Sequence, residues 1–266
     1  MAIISLMTDF GIKDGNVGVM KGVIWAISPE ARISDLSHMI QPQNIREAAL
    51  ILARSVPYFP EKSVHLVVVD PGVGTARRPL AARIGTQYYV GPDNGTITML
   101  LEKNEQAGGS AEFVHLNDPQ YWLPEVSFVF HGRDIFAPVA AHLSIGVPLK
   151  SLGLPVDDPV RLELPRPEKT KQGWRGEAIH VDHFGNVASN IMQANLGDAL
   201  KSKESIVVRV GGAQVKGLVN TFGEGAVGEL VALMGSTGNL IVSVVNGSAV
   251  ERLAVKPGDP FEVILK

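Results

Sequence analysis

The N-terminal half of the chain alternates short apolar runs with segments of helical periodicity. Residues 2–7 and 64–69 are nearly continuous apolar runs, a pattern typical of strands that are covered on both faces. Residues 16–28 and 44–56 instead place apolar side chains at steps of three and four, the spacing of amphipathic helices. The order of these patterns predicts strands and helices that follow one another along the chain.

Two further features extend this pattern. Residues 80–90 read as a pair of strands that turns at Gly85-Thr86. Residues 135–143 have helical spacing again, and Asp134 stands where a helix cap is expected. The first half therefore reads β-α-β-α-β, which predicts an α/β domain with a largely parallel central sheet and helices on both faces.

The pattern changes after residue 147, where prolines accumulate and the charged, apolar-poor sequence PRPEKTKQG follows. Beyond Trp174 helical periodicity fades, and short strands are predicted, among them 206–210 and 214–219 joined across Gly211-Gly212. We expect an N-terminal domain over 1–165, a linker over 166–173, and a domain over 174–266 that is a small all-β barrel or sandwich.

Composition narrows the class of protein. The 266 residues are 45% hydrophobic, which is enough for a substantial core, and the formal net charge of -3 comes without a long basic run, so we expect no nucleic-acid partner. No apolar stretch of about 18 residues and no basic leader occur, which favours a cytoplasmic protein without a membrane partner. The absence of cysteine excludes disulfides, thiol nucleophiles and Cys metal ligands.

Polar residues that could carry chemistry cluster at predicted strand ends. Asp9 and Asp70 each close a strand where ligands bind in open parallel sheets, although Asp9 and Asp14 could equally cap the next helix. The segment 70–78, DPGVGTARR, adds glycines that let a ligand approach the backbone and an arginine, Arg77 or Arg78, near Asp70. It lacks the third glycine of a dinucleotide fingerprint and the Gly-Lys-Ser/Thr of a Walker loop.

Other candidate residues lie further along the chain. His131 precedes a predicted helix at the mouth of the crevice, where it could also serve only as a loop histidine bonded to backbone. The run 182–186, DHFGN, joins an acid, an aromatic ring and an amide that suit an adenine, or forms a plain hairpin loop. The small-residue loops with Ser236 and Asn246 could be simple turns, and Phe222 is expected in the core. Several Asp and His residues could bind a metal, but no His-x-His or His-Glu-x-x-His spacing supports one.

Taken together, these segments resemble one family, the S-adenosylmethionine (SAM) hydrolases, also called SAM hydroxide adenosyltransferases, which are related to fluorinating and chlorinating SAM halogenases. The resemblance rests on six blocks in family order: LMTDFG at 6–11, VVVDPGVGTARRP at 67–79, GPDNG at 91–95, FHGRDIFAP at 130–138, HVDHFGNVASNI at 180–191, and the loop at 235–248. It implies an N-terminal α/β domain, a C-terminal β-barrel, and a homotrimer with substrate sites between subunits.

The resemblance also implies an activity and roles for residues. SAM and water would give adenosine and methionine without a metal or organic cofactor, and Asp70, Arg77 and His131 match the catalytic residues of the family. The other matched positions are implied to bind substrate: Asp9 the ribose hydroxyls, Asp182 and Asn186 the methionine end, Phe184 and Phe222 the adenine, Ser236 the methionine carboxylate, and Asn246 as a further contact.

Alternatives to the hydrolase remain open at this point. The halogenases lack the Asp-Arg-His set, and the fluorinating enzymes carry an insertion where this chain runs directly from Ile84 to Tyr89, which favours water over halide as the nucleophile. A halide-dependent SAM lyase, a non-catalytic SAM or adenosine binding protein, and a metal-dependent hydrolase are the other hypotheses.

Overall fold

A computed structural model describes residues 2–266, and Met1, with which the predicted N-terminal domain begins, lies outside the described residues. The chain divides into two compact units, the first ending at Leu162 and the second spanning Glu163–Lys266. The segment 166–173, predicted as a linker, contains the short strand Glu168–Thr170.

Within residues 2–162, the first unit is built from seven strands and four helices. The strands are β1 (Ile3–Thr8), β2 (Arg32–Ser37), β3 (Val64–Val68), β4 (Pro79–Ile84), β5 (Gln87–Pro92), β6 (Ala111–Leu116) and β7 (Gly153–Val156). The helices are α1 (Asn16–Ile27), α2 (Ile45–Ser55), α3 (Thr98–Gln106) and α4 (Ala137–Ser144).

The seven strands form one mixed sheet in the order β2-β1-β3-β5-β4-β6-β7. The first four strands in this order, β2, β1, β3 and β5, run parallel, with Leu6 opposite Leu66. Strands β4, β6 and β7 pair antiparallel with their neighbours. Helices α1 and α4 cover one face through buried residues such as Met20 and Val139, and α2 and α3 cover the other through residues such as Leu52 and Leu101. The predicted α/β domain is therefore confirmed, with a parallel half and an antiparallel half.

Three strands of this sheet were not expected from the sequence, and one predicted cap is wrong. Strand β2 has four polar residues among its six and lies at the sheet edge, so it lacks the apolar run that identifies β1 and β3. Strands β6 and β7 were also missed, and β7 has four residues of which none is buried. Asp134 does not cap α4, because its side chain accepts hydrogen bonds from Ser127 inside the domain.

The second unit contains eight strands and two short helices. They are β8 (Glu168–Thr170), β9 (Gly173–Val181), β10 (Val187–Met192), α5 (Gln193–Leu196), β11 (Ile206–Val210), β12 (Ala213–Lys216), β13 (Leu230–Met234), β14 (Asn239–Val244), α6 (Ala249–Leu253) and β15 (Pro260–Leu265).

The strands of the second unit pair antiparallel in the order β12-β11-β15-β9-β10-β14-β13, and β8 adds to β9. The hairpin of β11 and β12 turns at Gly211 and Gly212, which both have positive φ as a type I′ turn requires. A hydrogen bond from Val219 N to Ala232 O joins the chain after β12 to the last strand of the sheet, so the barrel is nearly closed. The predicted C-terminal β-barrel is confirmed.

The helices of both units are short. Among residues 2–266, none combines the length and apolar character that would let it cross a membrane.

Candidate active site

Two of the predicted carboxylates emerge at the same edge of the first sheet. Strands β1 and β3 run parallel with Thr8 opposite Val68, so Asp9 and Asp70 follow neighbouring strand ends. The aromatic rings of Phe10 and Phe130 meet edge to face, with centroids 5.8 Å apart, which brings the loop after β1 against the segment before His131. This edge is where ligands bind in open α/β sheets.

The loop after β3 folds back and returns Arg77 to Asp70. Val73 N donates to Asp70 O and Thr75 Oγ1 to Gly72 O, so two successive turns reverse the chain. The guanidinium of Arg77 then donates two hydrogen bonds to the Asp70 carboxylate, with Nε 3.1 Å from Oδ1 and Nη2 2.5 Å from Oδ2. Such a bidentate pair fixes the plane of both groups.

His131 completes this cluster through a second contact with the same guanidinium. Nη2 of Arg77 lies 3.1 Å from Nδ1 of His131. Since a guanidinium can only donate, Nδ1 must accept, and the ring proton of His131 then sits on Nε2. Burial and the adjacent Arg77 charge lower the pKa of His131 below its ordinary value, which agrees with a neutral ring.

The buried pair also changes the acid–base properties of Asp70. The side chains of Arg77 and Asp70 are only 7% and 4% exposed. Burial raises the pKa of Asp70 above its ordinary value, and the positive charge of Arg77 opposes that rise without cancelling it. Nη1 of Arg77 is buried and has no hydrogen-bond partner among residues 2–266. The cluster thus offers one donor that no protein group satisfies and one carboxylate with increased basicity.

Arg78, the neighbouring arginine, has a different role in the fold. Its guanidinium pairs with the buried Asp93 and with Asp158, at 2.7 Å in each case. Asp93 also accepts a hydrogen bond from Val160 N, so Arg78 fastens the 158–160 segment to the loop that carries Arg77. Of the two arginines, it is Arg77 that contacts Asp70 and His131.

A buried carboxylate holds the segment that presents His131. Residues Gly132–Phe136 form a π-helical turn directly after His131, and such turns are frequent at functional sites. Asp134 in this turn is fully buried and accepts hydrogen bonds from Ser127 N and Oγ. The hydrogen bonds from Ser127 and Arg133 hold the pKa of Asp134 below its ordinary value, although burial alone would raise it. The sequence prediction treated Asp134 as a cap and missed this anchoring role.

Asp9 is held by backbone from a later loop. Its Oδ2 accepts a hydrogen bond from Gln43 N at 2.7 Å. Neither Asp9 nor Asp14 caps α1, because Gly15 occupies the cap position and no side chain bonds there. The alternative in which these acids serve only as caps is therefore wrong. The loop that carries Gln43 follows β2, and it was missed together with that strand.

The other six predicted site residues lie in the second unit. Asp182, Phe184 and Asn186 belong to the turn between β9 and β10, where Oδ1 of Asp182 accepts from the backbone N of both Phe184 and Asn186. Asn186 also donates to Oδ2 of Asp182, and its own oxygen accepts from the buried Ser243. Residues 182–186 form a hairpin loop, and Phe184 is 75% exposed.

The remaining predicted residues of this unit all lie at its surface. Ser236 is in the turn between β13 and β14, and Asn246 follows β14 with a left-handed backbone at φ 53°. Phe222 is 47% exposed, so the expectation that it packs in the core is wrong. Ser243, which orients Asn186, was not found from the sequence because an isolated serine in an apolar strand has no distinctive pattern.

Metal coordination was a further hypothesis for these side chains. Within residues 2–266, no three His, Asp or Glu side chains come together in an arrangement that could hold a metal ion.

Comparison with known proteins places this geometry in a family. Residues 4–153 match the model of the SAM hydroxide adenosyltransferase N-terminal domain, and residues 176–262 match that of the C-terminal domain. The chain is 42% identical to the (R)-S-adenosyl-L-methionine hydrolase of Salinispora tropica, over 98% of this chain and 97% of the relative. It is 30% identical to a fluorinase of Actinoplanes sp., over 74% of each chain.

A solved structure agrees with these matches. The crystal structure of an uncharacterized conserved protein from Thermotoga maritima superposes with a TM-score of 0.91 at 38% identity, over 98% of this chain and 99% of that one. Both family models and this full-length similarity cover the cluster at the sheet edge as well as the barrel. The chain belongs to the SAM hydroxide adenosyltransferase family.

Proposed function

We propose that this protein hydrolyses SAM to adenosine and L-methionine by attack of water on the ribose 5′ carbon. The observation that carries the proposal is the Asp70–Arg77–His131 cluster, a buried arginine held between a carboxylate and a neutral imidazole with one donor unsatisfied. The relative named as a SAM hydrolase is more similar, over more of the chain, than the relative named as a fluorinase. Both facts support water over halide as the nucleophile.

The chemistry of the substrate explains why such a small set of groups suffices. The sulfonium of SAM leaves as a neutral thioether, so departure needs no general acid and no metal. The oxygen of water forms a bond to C5′ while the C5′–S bond breaks. The electron pair of the C5′–S bond stays on the sulfur of methionine. The protein must then hold water in line with that bond and remove one proton.

The geometry supports separate roles for the three side chains. The positive charge of Arg77 lies beside the attacking oxygen and favours its hydroxide character. His131 donates from Nε2, because its Nδ1 is already occupied by Arg77. Asp70 accepts the proton, since burial raises its pKa and leaves it more basic than an exposed aspartate. The proton then passes from Asp70 to solvent.

The remaining predicted residues bind the substrate in this proposal. Asp9 accepts hydrogen bonds from the ribose hydroxyls, and Asp182 and Asn186 hold the methionine end. Phe184 and Phe222 lie against the adenine, which fits two aromatic rings with exposed surface. Ser236 contacts the methionine carboxylate, and Asn246 supplies a further contact.

We also propose the assembly and location that the family resemblance implies. The protein is a homotrimer, with each substrate site between the first domain of one subunit and the second domain of another. It works in the cytoplasm and requires no metal or organic cofactor. Cell fractionation tests the location, and turnover that persists in the presence of EDTA supports the absence of a metal requirement.

Substitution of the cluster tests the proposed function. Purified protein incubated with SAM is expected to release adenosine and methionine in equal amounts. Asp70→Asn and His131→Ala are expected to lower kcat by about 100-fold or more, because each removes a group that acts on the attacking water. Glu112→Gln is the matched control, since Glu112 forms a surface ion pair with Arg83 at 2.8 Å and touches no candidate residue. Near-normal turnover in both cluster variants would refute these roles.

A further inference from the structure

The segment after β2 encloses the short loop that carries Asp9. Gly11 N donates to His38 O at 2.8 Å, and Gln43 N donates to Oδ2 of Asp9 at 2.7 Å. Gln43 makes this contact with a left-handed backbone at φ 66°, a conformation that is unfavourable for a residue other than glycine. Strain of this kind persists where surrounding structure imposes it, and it often marks a functional position.

The side chain of His38 connects this segment to the residue just before Asp9. His38 is 8% exposed, and its Nδ1 lies 3.0 Å from Oγ1 of the fully buried Thr8. The same hydroxyl accepts a hydrogen bond from Phe10 N at 3.2 Å. His38 is therefore bonded to the chain on both sides of Asp9, through its ring to Thr8 and through its carbonyl to Gly11.

The other edge of the His38 ring faces Asp35, although Nε2 makes no hydrogen bond of good geometry with residues 2–266. Its Nε2 lies 3.1 Å from Oδ1 of Asp35, and Oδ2 of Asp35 accepts a hydrogen bond from Nζ of Lys21 at 2.7 Å. These side chains come from α1, from β2 and from the residue that follows β2. A line of side chains thus runs from the first helix to the end of β1, and it ends beside Asp9.

The arrangement leaves acceptor capacity on both oxygens of Asp9 for a ligand, because a carboxylate oxygen can accept two hydrogen bonds. Oδ2 is engaged by Gln43 N, whereas Oδ1 accepts no hydrogen bond from residues 2–266. A carboxylate that receives both hydroxyls of a ribose needs a fixed plane, because the two hydroxyls of the ring have a fixed spacing.

From this geometry we infer that His38, through Thr8, is a positioning residue that orients the Asp9 carboxylate toward the vicinal hydroxyls of a ribonucleoside. The inference rests on the proposed function, in which Asp9 binds the ribose, and it extends that site to His38, which lies outside the family blocks. This positioning role differs from a general structural role, because it concerns the recognition of the ribose hydroxyls.

The test compares the binding of adenosine and 2′-deoxyadenosine, measured by isothermal titration calorimetry on the full-length protein. Adenosine is the product of the proposed reaction, and the deoxy form lacks one of the two hydroxyls. The wild-type protein is expected to bind adenosine about tenfold more tightly, the value of one well-formed hydrogen bond to a charged group. Asp9→Ala is expected to bring this ratio to about one.

Two substitutions at His38 separate its contacts. An asparagine can place its amide near the position of Nδ1, whereas a glutamine reaches the position of Nε2. We expect His38→Asn to keep the preference for adenosine, and His38→Gln to reduce it to about two- or threefold. Thr8→Val, which preserves shape and removes the hydroxyl, is expected to act like His38→Gln. His115→Gln on β6 is the matched control, because β6 lies near the other edge of the sheet.

The outcomes separate this inference from the function on which it rests. If Asp9→Ala abolishes the preference but His38→Gln and Thr8→Val retain the wild-type ratio, the role of His38 is overturned and the proposed function stands. If the wild-type protein shows no preference for adenosine over 2′-deoxyadenosine, the roles of Asp9 and His38 are both overturned. The proposed hydrolase activity is then still tested separately, by SAM turnover. Circular dichroism establishes that each variant is folded, and either His38→Gln or Thr8→Val is sufficient to decide the point.

Discussion

Arg77 and Arg78 are consecutive in the chain, and the fold gives them different partners. Arg77 contacts Asp70 and His131, whereas Arg78 pairs with Asp93 and Asp158. The sequence alone could place an arginine near Asp70, but only the family spacing favoured Arg77. The direction of each side chain depends on the two turns after Asp70, and turn geometry of that kind has no unique sequence signature.

The pH dependence of turnover follows from the shifted groups of the cluster. His131 loses its ability to accept from Arg77 when it is protonated, and its lowered pKa places that event below pH 6.5. Asp70 loses its basicity when it is protonated, and its raised pKa places that event above pH 3.8. Both losses occur as pH falls, so kcat/KM is expected to decline as the pH is lowered from neutrality. A profile in which kcat/KM rises as the pH is lowered from neutrality would contradict this account.

At the scale of elements, the missed strand β2 explains which site residues were not predicted. Its sequence, RISDLS, alternates polar and apolar residues weakly, and an edge strand has little need for a continuous apolar run. His38 and Gln43 follow this strand, so their contacts with the Asp9 loop could not be expected once β2 was absent from the prediction. The strands that end at Asp9 and Asp70 were predicted because both are buried on two faces.

The approach of two loops is a second feature at this scale. A Cβ added at Gly74 would lie 2.3 Å from the carbonyl oxygen of Phe128, so the loop of Arg77 and the segment before His131 pack backbone to backbone. Gly74 also has φ +75°. Gly108 has nearly the same φ, +72°, but a Cβ there would meet nothing within 4 Å.

This contrast gives a matched pair of substitutions. Gly108→Ala is expected to lower the free energy of unfolding by about 1 kcal/mol, the cost of a left-handed backbone, and to leave kcat unchanged. Gly74→Ala is expected to lower the free energy of unfolding as well, and also to lower kcat by about tenfold or more, because the clash with Phe128 separates Arg77 from His131. Chemical denaturation and steady-state kinetics measure the two effects. Equal kcat values in the two variants would contradict the proposed dependence on loop contact.

At the scale of the whole molecule, the hydrophobic pattern predicted both classes of unit but not the full topology. The first sheet was expected to be largely parallel, and its second half is antiparallel because β4 and β5 form a tight hairpin and β6 and β7 add to it. Local pattern identifies buried strands well. It does not specify the order in which short, partly exposed strands such as β7 pair.

The proposed trimer is a prediction about the whole molecule. Light scattering coupled to size-exclusion chromatography is expected to give three times the mass of one chain, over a range of protein concentrations. If the sites lie between subunits, dilution that dissociates the trimer is also expected to reduce turnover per chain. A monomer that retains full activity would contradict the shared site.

The central claim is that water attacks the ribose carbon of SAM, and oxygen labelling tests it most directly. The protein is incubated with SAM in chloride-free buffer made with ¹⁸O-water, and the products are analysed by mass spectrometry. We predict that adenosine carries the label on its 5′ oxygen and that methionine carries none. Unlabelled adenosine, label in methionine, or SAM that binds without turnover would contradict the hydrolase, and a 5′-halo product formed only when chloride is added would assign a halide nucleophile instead.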